Sequence, residues 1–380
     1  MFGKRVTLFR LLGFAVRVDI SWIFIAALVS WSLADEFRGS YEDLAAITYW
    51  LMAVAGMVGL FLSIIFHELS HSLMARRHGI EMSGITLFIF GGVAEMTEEP
   101  PNARAEFLMA AVGPLSSLGL AAGFWALTNL GRQSGWGVPV TGLTHTLAFL
   151  NASIAAFNLV PGFPLDGGRI LRAALWGWKK NLRWATRWAA RMGTLFAYVL
   201  IAWGVFLALV TQNAAGLWYA LIGMFLRGAA RSSYRQLLLR RALEGEPVRR
   251  FMQDSPTTVP PEATLAELVD QYVYRYMYKM YPVVAGSGVL CGCVTTHHVK
   301  QIPREEWRVR RVGEIMQPCS TRNSVSPDTD ALVALQLMNH YKSSRLLVVE
   351  GGRLAGILAL KDLLRFLSLK VALEGDGGPE

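Results

Sequence analysis

Long apolar runs, separated by short polar stretches, dominate the first 230 residues of this 380-residue chain. A helix needs about 20 apolar residues to cross a lipid bilayer, and tilting or local thinning accommodates shorter runs. Six runs are candidates: Ile20–Ala34, Ala45–Leu73, Ala103–Leu130, His145–Val160, Gly193–Val210 and Ala214–Leu226. The pattern therefore predicts a polytopic α-helical membrane protein with about six transmembrane helices.

Two stretches between the helical runs have the pattern of β-structure. Val16–Asp19 alternates between apolar and polar residues, which indicates a short strand. Ile85–Phe90 and Val93–Met96 flank the pair Gly91-Gly92, and this pattern predicts a hairpin that turns at the two glycines.

Arginine and lysine are concentrated on one side of the predicted membrane. Ile170–Arg191 is amphipathic and basic with several tryptophans, and we expect a helix lying at the membrane surface. The only arginines or lysines in the loops on the opposite side are Arg38 and Arg132. Because cytoplasmic loops are enriched in basic residues, we predict a multi-pass protein of the cell (inner) membrane with both termini in the cytoplasm.

Composition agrees with a membrane protein and sets limits on its partners. The mean hydropathy is +0.35 and 17% of residues are charged, against about a quarter in soluble domains. The net charge of +9 is explained by the membrane topology, so we expect no nucleic-acid partner. The three cysteines, Cys291, Cys293 and Cys319, lie in the polar C-terminal third and are typical of a reduced, cytosolic domain.

The composition becomes that of a soluble domain after Glu244, and an internal repeat of about 60 residues follows. The first copy contains Val248-Arg-Arg-Phe-Met, and the second contains Val312-Gly-Glu-Ile-Met at the matching place. Each copy has the pattern of a strand, a helix, two strands and a closing helix. The repeat predicts a C-terminal α/β domain built from two similar halves.

The strongest chemical signal lies near the end of the second apolar run, where His67-Glu68-Leu-Ser-His71 forms an HExxH motif. Two histidines four residues apart lie on one face of a helix and can bind one metal ion. The glutamate between them is placed to take a proton from the attacking water. Ionisable groups at membrane depth are costly and usually functional, so the motif predicts a zinc peptidase site within the membrane.

A catalytic zinc ion needs a third protein ligand, and several residues are candidates. Glu95 and Glu98 lie in the predicted hairpin region, Glu106 begins the third apolar run, and His145 begins the fourth run on the far side. Asp166 lies in a Pro/Gly-rich stretch at the cytoplasmic end of the fourth run, level with the two histidines. Position along the membrane favours Asp166.

Two features near this site have two interpretations each. Asn158 is either a helix-packing amide or a hydrogen-bond donor close to the reacting carbonyl group. The hairpin at Ile85–Met96 either covers the membrane interface or offers an edge to which an unwound substrate segment could add as a strand.

These motifs resemble the site-2 protease family of intramembrane zinc metalloproteases over about residues 1–230. The resemblance is carried by four segments, Phe66–His71, Phe90–Gly92, Gly113-Pro114 and Asn158–Gly167. It implies a zinc endopeptidase that cleaves a transmembrane or membrane-associated regulator, such as an anti-sigma or pro-sigma factor. It also implies particular site residues: His67, His71 and Asp166 as zinc ligands, Glu68 as the catalytic base, and Asn158 as an active-site residue.

The C-terminal repeat resembles a pair of CBS domains, which implies a homodimer and an adenine nucleotide (ATP, ADP or AMP) as a second ligand. CBS pairs often bind the nucleotide through a G-x-x-[ST]-x-x-D pattern whose aspartate holds the ribose. The first copy has Gly292 and Thr295 but His298 in place of the aspartate. The second copy has Asp362 but Ala359 in place of the hydroxyl residue. Thr295 and Asp362 are therefore the candidate nucleotide-binding residues, and a structural or dimerising role is the alternative.

The predicted domain organisation has six parts. They are an N-terminal cytoplasmic or interfacial segment (1–19), a transmembrane metalloprotease domain (20–230), a linker (231–247), two CBS domains (248–306 and 309–370) and a flexible tail (371–380). An alternative function is a transporter or channel gated by the CBS domains and without protease activity. That alternative leaves the HExxH motif and the distant Leu-Asp-Gly segment unexplained.

Overall fold

The computed structural model describes residues 5–80, 82–88, 91–96, 99–211 and 215–374. The chain divides into two compact units, Met1–Arg235 and Gln236–Glu380. The first unit is mainly helical, and the second is α/β.

Within the described residues, the first unit contains seven long helices and four strands. The helices are α1 Ser21–Ser40, α2 Ala46–Arg77, α3 Ala103–Gln133, α4 Val138–Asn158, α5 Asp166–Lys179, α6 Leu182–Thr211 and α7 Ala215–Leu243. The strands are β1 Arg5–Leu11, β2 Phe14–Asp19, β3 Met82–Phe88 and β4 Gly91–Met96. The last turns of α7 extend beyond Arg235 into the second unit.

Within the described residues, four helices are long and apolar enough to cross a membrane. They are Ala46–Arg77, Ala103–Gln133, Val138–Asn158 and, within α6, Leu182–Val210. Together with the α/β second unit, they confirm the predicted fold class of an α-helical membrane protein with a C-terminal α/β domain. Helices α1 and α7 cover the remaining two predicted segments, and a total of six spans stays a prediction.

The single surface helix predicted at Ile170–Arg191 is wrong, because the segment forms the end of α5 and the start of α6. Lys180 has a φ of 56°, a left-handed conformation that ends α5. The side chain of Asn181 then accepts a hydrogen bond from the backbone N–H of Trp184 and caps the first turn of α6. The basic residues beyond this point therefore belong to a helix that continues into the apolar run.

The four strands form one sheet in the order β1-β2-β3-β4. Strands β2 and β3 pair in parallel although more than 60 residues separate them, and the other two pairs are antiparallel. Val16, Ile85 and Leu87 on the sheet pack with Ile65 and Leu69 of α2 in one apolar cluster. This packing places the sheet against the part of α2 that carries the HExxH motif.

The predicted turn at Gly91-Gly92 is also wrong. Both glycines belong to β4, where Gly91 pairs with Phe88 and Gly92 pairs with Leu87. Ile89 and Phe90 lie outside the described residues. The start of β4 is therefore paired with β3 in the sheet that packs against α2.

In the second unit, the residues as far as Glu374 form six strands in two sheets, with the orders β5-β6-β7 and β10-β9-β8. The strands are β5 Met280–Val284, β6 Leu290–Thr295, β7 Gln317–Pro318, β8 Ser324–Val325, β9 Arg345–Glu350 and β10 Arg353–Ala359. The α-helices are α8 Leu265–Glu267, α9 Tyr274–Tyr276, α10 Thr296–Lys300, α11 Val312–Ile315, α12 Ala331–His340 and α13 Leu360–Glu374. A π-helix at Leu268–Val273 and 3₁₀ turns at Val248–Arg250 and Arg304–Glu306 complete the unit.

The two copies of the repeat exchange their first segments. Val248 and Phe251 from the start of the first copy lie in the apolar core of the second copy. Val312 from the start of the second copy lies in the core of the first. Neither core is complete without the other copy, so the pair forms one structural unit.

Two of the predicted boundaries fall inside helices. The predicted linker at 231–247 is helical as far as Leu243, where α7 ends. The predicted tail begins at 371, but α13 continues to Glu374, and residues 375–380 lie outside the described part of the chain.

Candidate metal centre

The two histidines of the HExxH motif lie side by side on the buried face of α2. His67 and His71 are 4% and 5% exposed, and their Nε2 atoms lie 3.1 Å apart. The spacing of four residues produces this arrangement because one helical turn separates the side chains. Both Nε2 atoms therefore face a common point.

The other ring nitrogen of each histidine has a partner on α3. His71 Nδ1 donates to the backbone carbonyl of Met109 at 2.6 Å, and His67 Nδ1 lies 2.9 Å from the hydroxyl of Ser117. A carbonyl oxygen can only accept, so Nδ1 of His71 carries the hydrogen. The Nε2 atom of the neutral ring then presents a lone pair, which is the form that binds a metal.

Asp166 brings a carboxylate to the same point from the opposite side. Its Oδ2 atom lies 3.0 Å from His71 Nε2 and 3.1 Å from His67 Nε2. Asp166 is the first residue of α5 and follows the irregular segment between α4 and α5. The backbone N–H of Phe163 in that segment donates to the carbonyl of Ala189 on α6, which holds the segment in place.

The donor set fits a zinc ion. The ligand atoms of His67, His71 and Asp166 all lie within 4.8 Å of one another, and all three residues are buried. Ligand atoms about 2.0–2.1 Å from a tetrahedral zinc ion are roughly 3.3 Å apart, close to the separations found here. An Nε2 lone pair that faces a carboxylate oxygen at 3.0 Å is repulsive unless a cation lies between them.

Asp166 lies outside the four membrane-capable helices, and its carboxyl group is poised to be ionised. Burial alone would raise the pKa of Asp166, but positive charge at the two imidazoles, that of His71 first, holds the pKa well below its usual range. A carboxylate that remains ionised when buried is suited to binding a metal cation.

Glu68 lies next to the sheet and is not one of the three clustered ligands. A Cβ atom built on Gly92 would lie 2.7 Å from Glu68 Cγ and 2.9 Å from Glu68 Oε1. The start of β4 therefore passes directly over this side chain, and a glycine is needed there. β4 is the last strand of the sheet order, so one of its edges has no strand partner within the described residues.

The remaining candidate ligands lie elsewhere or are not described. His145 is exposed on α4, and Glu106 is fully buried against Arg172. The side chain of Glu95 and all of Glu98 lie outside the described residues. Among the described candidates, Asp166 is the carboxylate that meets the two histidines.

Asn158 is the last residue of α4, and its side-chain amide donates to the carbonyl of Ile154 one turn earlier at 3.1 Å. This contact is the one expected of a helix-packing amide. It does not bring Asn158 onto the cluster of metal-ligand atoms.

Gly113 on α3 borders the site directly, although the sequence singles it out only as half of the Gly113-Pro114 pair. A Cβ atom at this position would lie 2.2 Å from His71 Nε2 and 2.7 Å from His67 Nε2. Met109 and Ser117 were not identified at all, because a backbone carbonyl and one serine among several have no distinctive sequence pattern. The Gly113-Pro114 pair was the available signal, since a small residue in a membrane helix indicates close approach of a neighbouring helix.

The second unit contains a cleft of about 410 Å³ beside Asp362. Three basic side chains line it together with Asp362, and the full lining is Arg250, Phe251, Met252, Gln253, Lys361, Asp362, Arg365, Phe366 and Leu369. Thr295 is not a lining residue. Its hydroxyl accepts a hydrogen bond from the backbone N–H of His298 and caps α10.

Comparison with known proteins agrees with both parts of the chain. The family model described as peptidase family M50 matches residues 55–145 and 133–201, and the CBS domain model matches 248–304 and 312–369. Rip3 of Mycobacterium tuberculosis, which is provisionally named a zinc metalloprotease, is 33% identical over 96% of this chain and 93% of its own length. A zinc metalloprotease of Methanocaldococcus jannaschii is 29% identical over 96% of both chains.

A solved structure is also similar. The site-2 protease from Methanocaldococcus jannaschii is 26% identical, covers 61% of this chain and 95% of its own, and has a TM-score of 0.42.

Two histidines on a membrane-capable helix, which meet an aspartate from the start of α5 at a buried point, are the arrangement expected of an integral-membrane metalloprotease. The chain belongs to peptidase family M50 and is a zinc metalloprotease of the site-2 protease type with a C-terminal pair of CBS domains. The expectation of a proteolytic enzyme is confirmed, and the alternative of a transporter without protease activity is set aside.

Proposed function

We propose that His67, His71 and Asp166 hold the zinc ion and that Glu68 is the base in hydrolysis of a peptide bond within the membrane. The observation that carries this proposal is the approach of the His71 Nε2 lone pair to the Asp166 carboxylate at 3.0 Å. Such an arrangement needs a cation, and two imidazoles with one carboxylate are a common catalytic set for zinc.

The chemistry divides between the metal and the chain. Zinc, when bound, lowers the pKa of water and polarises a carbonyl oxygen. Glu68 takes the proton from the attacking water and returns it to the leaving amine. Met109 and Ser117 fix the imidazole rings through Nδ1, which keeps both Nε2 atoms directed at the same point.

Substrate binding is proposed at the outer edge of β4. A helical segment hides its scissile carbonyls in its own hydrogen bonds, so it must unwind before it is cut. An unwound segment can add to an exposed strand edge through backbone hydrogen bonds. The position of Gly92 against Glu68 supports this edge as the place where the peptide bond is presented to the base.

The proposed substrate is a transmembrane or membrane-associated regulatory protein, such as an anti-sigma or pro-sigma factor. The burial of the metal ligands among membrane-capable helices supports a substrate that is itself embedded in or bound to the membrane. Asn158 is proposed as a donor to the substrate carbonyl, through the second hydrogen of the amide group whose first hydrogen is donated to Ile154.

The ligand set is tested by the zinc content of the purified protein. We expect Asp166→Asn to lower zinc from about one ion per chain to nearly none, because an amide is a poor zinc ligand. The matched control is Asp362→Asn, which changes the same residue type in the second unit. Equal zinc in Asp166→Asn and in the unaltered protein would remove Asp166 from the ligand set.

The proposed topology places the protein in the cell (inner) membrane with several spans and both termini in the cytoplasm. The excess of basic residues in the loops of one side supports this orientation. A fluorescent protein fused after residue 380 should fold and fluoresce, whereas alkaline phosphatase fused there should be inactive. The opposite pair of results would reverse the orientation.

A second proposed function is the binding of an adenine nucleotide by the CBS pair, which would regulate proteolysis. The specific observation is the cleft beside Asp362, whose three basic side chains can bind phosphate while the aspartate binds ribose hydroxyls. Thr295 would have to leave its capping position to take part. Association of two copies through the CBS domains is proposed with it.

Calorimetry with ATP, ADP and AMP tests this binding. We expect saturable binding that Asp362→Asn weakens at least tenfold, whereas Asp270→Asn, an exposed aspartate of the first copy, leaves it unchanged. No heat at millimolar nucleotide would favour a structural role for the pair. Size measurement of the purified protein in detergent tests the proposed dimer.

A further inference from the structure

Two opposite charges are buried together outside the cluster of metal ligands. Glu106 on α3 is 0% exposed, and Arg172 on α5 is 9% exposed. Arg172 Nε donates to Glu106 Oε1 at 2.5 Å, and a second guanidinium nitrogen contacts the same oxygen. The guanidinium also lies 5.2 Å from the centre of the Phe163 ring, and Glu99 is 3.8 Å away.

The pair joins the two helices that complete the metal centre around α2. Glu106 precedes Met109 by three residues on α3, so it is about one turn from the carbonyl that orients His71. Arg172 follows Asp166 by six residues on α5, less than two turns away. The contact between Glu106 and Arg172 therefore connects the helix that orients the histidines to the helix that carries the carboxylate.

Stability alone is a poor explanation for this ion pair. Moving two charges out of water costs several kcal/mol per ion, and apolar residues of similar volume often stabilise a buried site as well or better. An arginine does fix the position of the carboxylate that it binds, because the N–H donors of its planar guanidinium have a rigid arrangement. The Arg172 guanidinium lies over the ring of Phe163, so it also contacts the segment just before Asp166.

We propose that Glu106 and Arg172 are positioning residues that set the placement of α5 on α3, so that Asp166 meets His67 and His71 at the distance zinc requires. The inference rests on the proposed zinc site. Neither residue touches the metal or the substrate, and both act through Asp166.

The test measures zinc affinity by competition with a chelator, for the full-length protein in detergent. We expect Glu106→Gln and Arg172→Gln each to weaken zinc binding about 10- to 100-fold, the range found when groups that orient metal ligands are removed. Lys179→Gln is the matched control, because it removes an exposed charge from the same helix and should leave zinc affinity unchanged.

A double variant separates positioning from the cost of an unpaired buried charge. Glu106→Gln/Arg172→Gln removes both members of the buried pair, and the one carboxylate that loses the guanidinium as a neighbour, Glu99, has a side chain that is 30% exposed. We therefore expect the double variant to unfold at nearly the same temperature as the unaltered protein. Its zinc affinity should still fall by a factor similar to that of each single variant, because the same contact is lost. Cobalt substituted for zinc provides a spectroscopic check, since a displaced Asp166 changes the visible absorption of a tetrahedral site.

The outcomes distinguish this inference from the proposed function. Unchanged zinc affinity and an unchanged cobalt spectrum in the folded double variant would overturn the positioning role. If the double variant does not fold, Arg172→Lys decides, because it keeps the charges balanced: a weakening of about tenfold supports the inference, and unchanged affinity contradicts it. If Asp166→Asn binds zinc as well as the unaltered protein does, the zinc site itself is wrong.

Discussion

At the scale of single residues, the metal centre depends on groups that supply space and orientation as much as on its ligands. The HExxH pattern identifies His67 and His71 because one helical turn separates them and dictates their common direction. Gly113 has no such pattern, because what matters is the absence of a side chain where α3 faces the two Nε2 atoms. Only the packed structure shows that closeness.

Replacing Gly113 by alanine should therefore damage the site without damaging the helix. Alanine favours a helix over glycine by about 1 kcal/mol, so the free energy of unfolding should not fall through helix propensity. The added Cβ would meet His71 Nε2 at 2.2 Å, and we expect zinc affinity to fall at least tenfold. Gly119→Ala is the control, since a Cβ there meets nothing within 4 Å. Equal zinc affinity in the two variants would show that α3 does not confine the metal site.

The buried thiol of Cys293 gives a prediction about pH. Burial, with a smaller contribution from Cys319, raises the pKa of this thiol to about 11. At pH 7 its reactive thiolate is then roughly 300-fold scarcer than for an ordinary cysteine of pKa about 8.5. Native Cys293 should resist N-ethylmaleimide at pH 7 and react readily in denaturant, as peptide mass spectrometry can measure. Rapid labelling of the native protein would contradict its burial.

At the scale of elements, most helices follow from the sequence, and the exceptions have local causes. The apolar periodicity identified the long helices, but it continues without interruption through Lys180 and Asn181, where α5 ends and α6 begins. The break depends on a left-handed lysine and an asparagine cap, which are weak signals inside a basic, tryptophan-rich segment. The parallel pairing of β2 with β3 could not be predicted, because nothing local specifies a partner so distant in sequence.

The hairpin strand β4 yields a prediction that separates catalysis from metal binding. Gly92→Ala places a Cβ within 2.7 Å of Glu68 Cγ and displaces the base, while the three metal ligands are not touched. We expect the cleavage rate to fall at least tenfold and zinc affinity to stay within about twofold. Alanine is better tolerated than glycine in a strand, so lost stability would not explain the result. A parallel loss of zinc would instead mean that β4 supports the metal ligands.

At the scale of the whole molecule, the sequence predicts two parts and the chemistry of the first part, but not how each part is assembled. The change in composition after Glu244 and the repeat identified a separate α/β unit. The exchange of Val248 and Val312 between the two halves was not predictable, since an apolar residue at the start of a repeat fits either core. The approach of Asp166 to the histidines was predicted from membrane depth and from the family resemblance, and the structure adds the separations of 3.0 and 3.1 Å.

The central claim is that this chain hydrolyses a peptide bond in the membrane with zinc held by His67, His71 and Asp166 and with Glu68 as the base. The most direct test reconstitutes the unaltered protein and Glu68→Gln in lipid vesicles with a membrane-embedded substrate and measures cleavage and zinc content together. The account predicts equal zinc in both proteins and a loss of cleavage of at least 100-fold in Glu68→Gln. Cleavage by Glu68→Gln at the rate of the unaltered protein would contradict it.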